Sequence, residues 1–406
     1  MTHAGRAHEG HMKDTPGFIF PDPLAAADEL AAAVASRVDE IEQNRFLPQD
    51  IADHAARLGL HRLFIPAVYG GLEANPMTLV EVAERIARVD GSTAWCVFIG
   101  ATSGMTAAFV TEMEAKAAFG DPMSIAAGVF APRGQARHAT ENGVAGYRVS
   151  GRWQWGSGSR NARTIMGGAM IMGDDGRPEM SPEDVPQNRM MIFSADQVLL
   201  HDTWRVSGLC GTGSTDFEVK DVFVPATRAP SLISDKPLER PLYCFPTFGL
   251  LGIGISAVAL GMARGSIDAL IDLAGGKTPQ GSSKPLALRA KAQLDVSEAE
   301  ALVRSARAWL AETIEAAWTA ASSDGAITVE HRRDIRLATT HAVKSAMRAI
   351  DLMYTLGGGT SVYKTSPLQR HFRDVHVATQ HMMVSDATYE LTGRLFLGVP
   401  TNTAML

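Results

Sequence analysis

Gly151-Arg152-Trp153-Gln154-Trp155-Gly156-Ser157-Gly158-Ser159, in the middle of the chain, reads as a strand running into a tight Gly-Ser turn. Aromatics two apart, Trp153 and Trp155, share one face of a regular strand. Gly156 and Gly158 let the backbone come close to another group, where Ser157 offers a hydroxyl and an N–H. On pattern alone a plain β-hairpin with an aromatic face is the simpler reading. The chain on either side decides between them.

Upstream, residues 22–60 carry Leu24, Leu30, Val34, Val38 and Ile41 at helical spacing, and Pro48 opens a further helix that Gly59 closes. A Thr78-x-x-Glu81 capping box predicts a helix from Thr78 to Val89. Ser92 to Met105 is apolar with small residues, a buried helix carrying Trp95. From about 120 to 235 short runs such as Met190-Met191-Ile192-Phe193 and Val222-Phe223-Val224-Pro225 alternate with Gly, Asp and Asn turns, which predicts a β domain. After Pro246 helices are expected over 247–274, 286–322, 328–356 and 367–397. The expected fold is α+β: a polar leader (1–21), an N-terminal helical domain (22–118), a central β-barrel domain (119–235) and a C-terminal helical bundle (236–406).

The 406 residues carry a net charge of −6, which leaves no electrostatic footprint for nucleic acid. Three cysteines without a CxxC pair suit a reducing cytoplasm and offer neither a zinc site nor a disulfide framework. The 12 histidines form no HExxH, and His3, His8 and His11 sit in a leader with no apolar core, so neither a metal site nor a signal peptide is expected. Pro241 to Ala263 has no charge and is long enough to cross a bilayer. Its glycines, and an arginine at each end (Arg240, Arg264), suit a helix buried inside a bundle as well, and with no second hydrophobic span no membrane insertion is expected. Gly252-Ile253-Gly254-Ile255-Ser256-Ala257 mimics a dinucleotide fingerprint, but no βαβ alternation follows, and small residues there serve close helix packing.

Leu356-Gly357-Gly358-Gly359-Thr360-Ser361 ends one helix, and Ser366-Pro367 with Gln369 begins the next. Gly358, Gly359 and Thr360 are either a helix C-cap and loop or bare backbone for a phosphate. His381, downstream of Arg373-Asp374, is by itself an ordinary helical histidine.

Together these segments resemble the acyl-CoA dehydrogenase superfamily over roughly residues 22–400. The α–β–α order matches, as do Gly151 to Gly158, the loop Gly208-Leu209-Cys210-Gly211-Thr212-Gly213-Ser214, the Leu356-Gly357-Gly358 turn and Arg373-Asp374. The resemblance implies a flavin held between the β domain and the bundle, with Trp155 packed on the isoalloxazine and the Ser157 hydroxyl on N5. It also implies a homotetramer built through the bundle.

One departure is informative. Dehydrogenases of this family need a carboxylate, in many a Glu nine residues after the Arg of Arg-Asp; that position here is Met382, preceded by His381. Others keep the base on the first bundle helix, yet no Asp or Glu occurs between Glu239 and Asp268. The chain is therefore similar to the two-component flavin monooxygenase branch, which includes oxygenases for 4-hydroxyphenylacetate, steroid phenols, dibenzothiophene and indole. That implies reduced flavin (FMN or FAD) from a separate NAD(P)H-dependent reductase, O2 as cosubstrate, and hydroxylation of a small aromatic or heteroaromatic substrate through a flavin C4a-hydroperoxide. His381 and Ser157 would be catalytic, Trp95 a substrate wall, and no metal is involved. Tyr354, near a Gln that contacts adenine in FAD-binding relatives, makes FMN plausible. Two alternatives stay open: an acyl-CoA dehydrogenase whose base lies elsewhere, and a flavin-free binding or assembly protein of the same fold.

Overall fold

The computed structural model describes residues 19–406 except Glu183 and Met405, so the leader histidines lie outside the described residues. Six helices come first: α1 (Pro23–Val34), α2 (Val38–Asn44), α3 (Gln49–Arg57), α4 (Pro76–Ala87), α5 (Gly91–Gly104) and α6 (Glu112–Phe119). Short polar caps set their starts. Asp22 accepts from the backbone N–H of Leu24 and Ala25, and the buried Asp90 accepts from that of Thr93 at 2.7 Å. The expected start at Thr78 is two residues late. Asn75 caps the helix by accepting from Met77 N at 2.8 Å, and Pro76 supplies its first residue, so Thr78 and Glu81 fall inside it.

Six strands follow: β1 (Ala126–Glu141), β2 (Val144–Gly156), β3 (Thr164–Met172), β4 (Asn188–Ser194), β5 (Leu199–His201) and β6 (Thr215–Pro225). They form one mixed sheet in the order β4-β3-β1-β2-β6-β5, antiparallel except for the β1–β3 pair. The sheet curls around Trp153. That ring is wholly buried, stacks on Phe217 of β6 at 5.0 Å, meets Phe193 of β4 at 5.9 Å, and donates from Nε1 to Gly168 O at 2.7 Å.

The chain closes with α7 (Thr247–Gly276), α8 (Ala290–Asp324), α9 (Val329–Gly357), α10 (Pro367–Ala378) and α11 (Ala387–Phe396). The uncharged stretch is the body of α7, and its most apolar window is 94% buried within the domain, packed by α4, α5, α9 and α10. Small residues allow this. A Cβ on Gly254 would overlap the Phe98 ring of α5, and one on Gly261 would stand 2.7 Å from Ala87 of α4. The expected single helix over 367–397 is broken. After α10 the backbone at His381 is extended, and its ring caps the short turn Met382–Val384 before α11 begins.

Candidate functional site at the sheet–helix junction

Strand β2 does not keep its alternation to the end. Its ladder with β6 slips between Trp153 and Gly156, and Trp155 takes a left-handed φ of 68°, costly for a side-chain-bearing residue. The two tryptophans therefore part, contrary to a regular strand: Trp153 goes to the core, while Trp155 is 65% exposed. The same bulge turns Ser157 inward. Gly158, at φ 73°, leaves its flank open, with no atom within 4 Å of where a Cβ would stand, and donates its N–H to Thr212 O at 2.9 Å.

The Ser157 hydroxyl is buried and belongs to a chain of hydrogen bonds. Trp95 Nε1 donates to Ser157 Oγ at 3.2 Å; Ser157 and Ser214 hydroxyls are 2.6 Å apart; Ser214 and Thr212 hydroxyls are 2.7 Å apart; Thr212 Oγ1 donates to Leu209 O at 2.8 Å. Each hydroxyl has one proton, so the order is forced. Thr212 spends its proton on Leu209, Ser214 must donate to Thr212, and Ser157 must donate to Ser214. Ser157 is left with a lone pair and no free proton, so it can only accept from a further partner. Thr212 and Ser214 were legible as loop residues, but nothing in their spacing announces this polarity.

His381 faces the same tryptophan, with ring centroids 6.1 Å apart. Its Nδ1 accepts from Met383 N at 3.2 Å, so in the neutral ring the proton sits on Nε2. Burial, helped by the nearby Arg336 guanidinium, pushes its pKa down to about 4. At neutral pH His381 is therefore an uncharged Nε2–H donor rather than a group poised at its ordinary value. Trp95, Ser157 and His381 thus converge from α5, the β2 turn and the α10–α11 break. Met382 is 61% exposed.

Gly358, Gly359 and Thr360 form a short turn after α9, with Gly358 at φ 52°. Lys277 Nζ clamps it, donating to Gly357 O and, at 2.7 Å, to Thr360 Oγ1. No hydrogen bond among the described residues links this turn to the Ser157 cluster. Tyr354 is engaged nearby in a ring stack with Phe372 at 4.4 Å.

Arg373 and Asp374 fasten the junction. Asp374 Oδ1 accepts from Leu209 N at 2.6 Å, and Arg373 donates to Ser207 O at 2.7 Å and to Glu42 at 2.9 Å. Loop 207–214 is so bound to α10 and α2. Burial raises the Asp374 carboxyl to about pKa 7. Gly208 permits the contact, because a Cβ there would overlap the Arg373 carbonyl and stand 2.7 Å from Asp374 N.

Models of known families describe the acyl-CoA dehydrogenase N-terminal domain over residues 24–122 and the acyl-CoA dehydrogenase C-terminal domain over residues 253–386. An indole-3-acetate monooxygenase of Pseudomonas putida is 34% identical over 366 residues, 89% of this chain and 90% of the relative. The chain belongs to the flavin-dependent monooxygenases of the acyl-CoA dehydrogenase family. The oxygenase subunit of a flavin-dependent monooxygenase from Rhodococcus jostii is 28% identical over 93% of this chain and 99% of that one. Among solved structures, XiaF from a Streptomyces species in complex with FADH2 and glycerol superposes with a TM-score of 0.84 at 25% identity, covering 94% of this chain and 97% of that one.

The residues present fit a flavin in this family member. The open flank of Gly158 and the exposed Trp155 ring leave room beside the turn, and the acceptor-only Ser157 matches the N5–H that a reduced, but not an oxidised, flavin presents.

Proposed function

We propose that this protein is the oxygenase component of a two-component system that hydroxylates a small aromatic or heteroaromatic compound. Reduced flavin would come from a separate NAD(P)H-dependent reductase. Relatives named for indole-3-acetate and resorcinol support the substrate class, and relatives named as oxygenase subunit or component support the division of labour. The observation that carries the reading is the forced polarity at Ser157 beside a neutral His381, with no carboxylate hydrogen-bonded to Trp95, Ser157 or His381 among the described residues. The α7 segment facing this region has no Asp or Glu before Asp268.

Bound reduced flavin supplies the electrons that activate O2. This chain's residues do the rest: Ser157 accepts a hydrogen bond from the N5–H, the Trp95 and Phe98 rings exclude water beside it, and His381 Nε2–H orients an oxygen atom of the oxidant or substrate. Trp155 would lie against the flavin ring, and Gly358, Gly359 and Thr360 would approach its phosphate. Exposed Leu288, Leu294, Val362 and Tyr363 support a homotetramer built through the bundle, and three free cysteines suit the cytoplasm.

The test is to mix the purified protein with FMN or FAD, reduced in advance, and then with oxygen and candidate aromatics, comparing wild type with His381→Ala. Hydroxylated product from wild type and a drop of about 10²- to 10⁴-fold in the variant are expected. Wild-type coupling in His381→Ala would remove that residue from its role. Bleaching of oxidised flavin by an acyl-CoA without O2 would replace the reading with a dehydrogenase, and failure to bind any flavin would replace it with a binding protein.

A further inference from the structure

Arg336, on the inner face of α9, is 3% exposed and has no acidic partner among the described residues. One Nη donates to the Met383 thioether at 2.7 Å, the other to Thr388 Oγ1 at 3.2 Å, and Nε has no partner among the described residues. Burial alone lowers its pKa to about 10, with no carboxylate to hold it up. Other buried arginines in this chain are treated differently. Arg62, 1% exposed, donates to the carbonyls of Tyr69, Gly70 and Asp121 at 2.9–3.0 Å. Arg370 reaches Asp39 at 2.7 Å. A buried guanidinium left with a thioether, one hydroxyl and a bare N–H is costly unless an anion arrives.

Its position says where the anion would sit. Met383, whose sulfur receives the Arg336 donor, gives its backbone N–H to His381 Nδ1, so one residue separates the guanidinium from the imidazole that faces Trp95. The Nη on the same edge as the bare Nε–H is held only by the long 3.2 Å bond to Thr388 Oγ1, while the other is spent on the thioether, so that edge is the one open to an entering oxygen. We propose that Arg336 is the anion-recognition group of the substrate pocket, and that the substrate carries a carboxylate on a short arm from its aromatic ring. The ring would lie against Trp95 and His381 while the free Nε–H and the Nη–H on the same edge, now held by Thr388 Oγ1, take the two carboxylate oxygens. This rests on the monooxygenase reading above and narrows its substrate to aryl acids.

Matched pairs differing only in charge test it: indole-3-acetate against indole-3-acetamide, and phenylacetate against phenylacetamide. Equilibrium binding is measured anaerobically on wild type, Arg336→Gln and Arg336→Lys, each loaded with reduced flavin. Wild type is expected to hold each acid about 10- to 100-fold more tightly than its amide. Arg336→Gln should bring that ratio near one, chiefly by weakening the acid, and Arg336→Lys should keep part of the preference. Acid and amide binding alike in wild type, or a preference that survives Arg336→Gln, overturns the proposal; should the Gln variant not fold, the wild-type ratio and the Lys variant decide. Equal hydroxylation of acid and amide would sink only the carboxylate inference. Preferential acid binding without oxygenation would sink only the monooxygenase reading.

Discussion

Consider Thr212→Val, a change of one hydroxyl for one methyl in a residue 1% exposed. The wild-type chain of protons runs one way because Thr212 gives its own to Leu209 O and so obliges Ser214 to donate to it. Without that acceptor, Ser214 has one neighbour left within reach, Ser157 at 2.6 Å, and donates to it instead. Ser157 then keeps its proton and turns it outward, donor against the N5–H of reduced flavin. The net loss of two neutral hydrogen bonds is about 2 kcal/mol of stability, and a donor facing a donor costs roughly 1–1.5 kcal/mol at the flavin, about 5- to 12-fold. Two measurements separate these effects: urea unfolding for the first, and the ratio of H2O2 released to product formed for the second. Ser214→Ala should shift that ratio the same way, since it too frees the Ser157 proton. If either variant unfolds at slightly lower urea yet keeps wild-type coupling, the proton order has no bearing on the reaction.

Further expectations are direct. Gly208→Ala forces a methyl onto the backbone of Arg373 and Asp374, so a loss of about 1–3 kcal/mol is expected in urea unfolding, with loop 207–214 becoming protease-sensitive first; cleavage elsewhere would argue against the clamp. Trp155→Ala should leave stability within about 0.5 kcal/mol yet weaken flavin binding about 2- to 10-fold, while Trp153→Ala should cost about 3–5 kcal/mol; titration with FMN and FAD distinguishes the two. His61 and His371, 3% and 1% exposed, have burial-lowered pKa values of about 4 and about 3. A lowered value in the fold means stability present above about pH 6.5 and lost below it, about 2 kcal/mol for each by pH 5. Asp374, raised to about 7, acts in the opposite sense, its contribution fading as pH rises through that value. A stability maximum between about pH 6 and 7 follows, and a flat profile of melting temperature from pH 7 to 5 would contradict it.

The α–β–α order was legible because periodicity and turn residues report backbone class directly, and the same signals marked α5, α7 and the Ser157 turn. What stayed hidden depends on three-dimensional neighbours. Trp155 carries no local mark of its left-handed backbone, which the slipped ladder with β6 imposes. The break at His381 has no proline or glycine to announce it; a ring nitrogen capping Met383 makes it, visible only once the turn exists. Arg336 looks like any charged residue on a long helix, and its want of an acidic partner is a property of what surrounds it. The proton order from Trp95 to Leu209 draws on residues more than a hundred apart in sequence.

Helix α7 has a consequence for how the polypeptide must be made. It is complete at Gly276, but α9, one of the helices that hides it, ends only at Gly357. At about 5–20 residues per second a ribosome needs roughly 4 to 16 s to supply that cover. For those seconds a segment hydrophobic enough to be mistaken for a lipid anchor hangs half-wrapped by α4 and α5 alone. Nascent chains stalled in α8 should therefore recruit holdase chaperones or precipitate, whereas release beyond α10 should set them free.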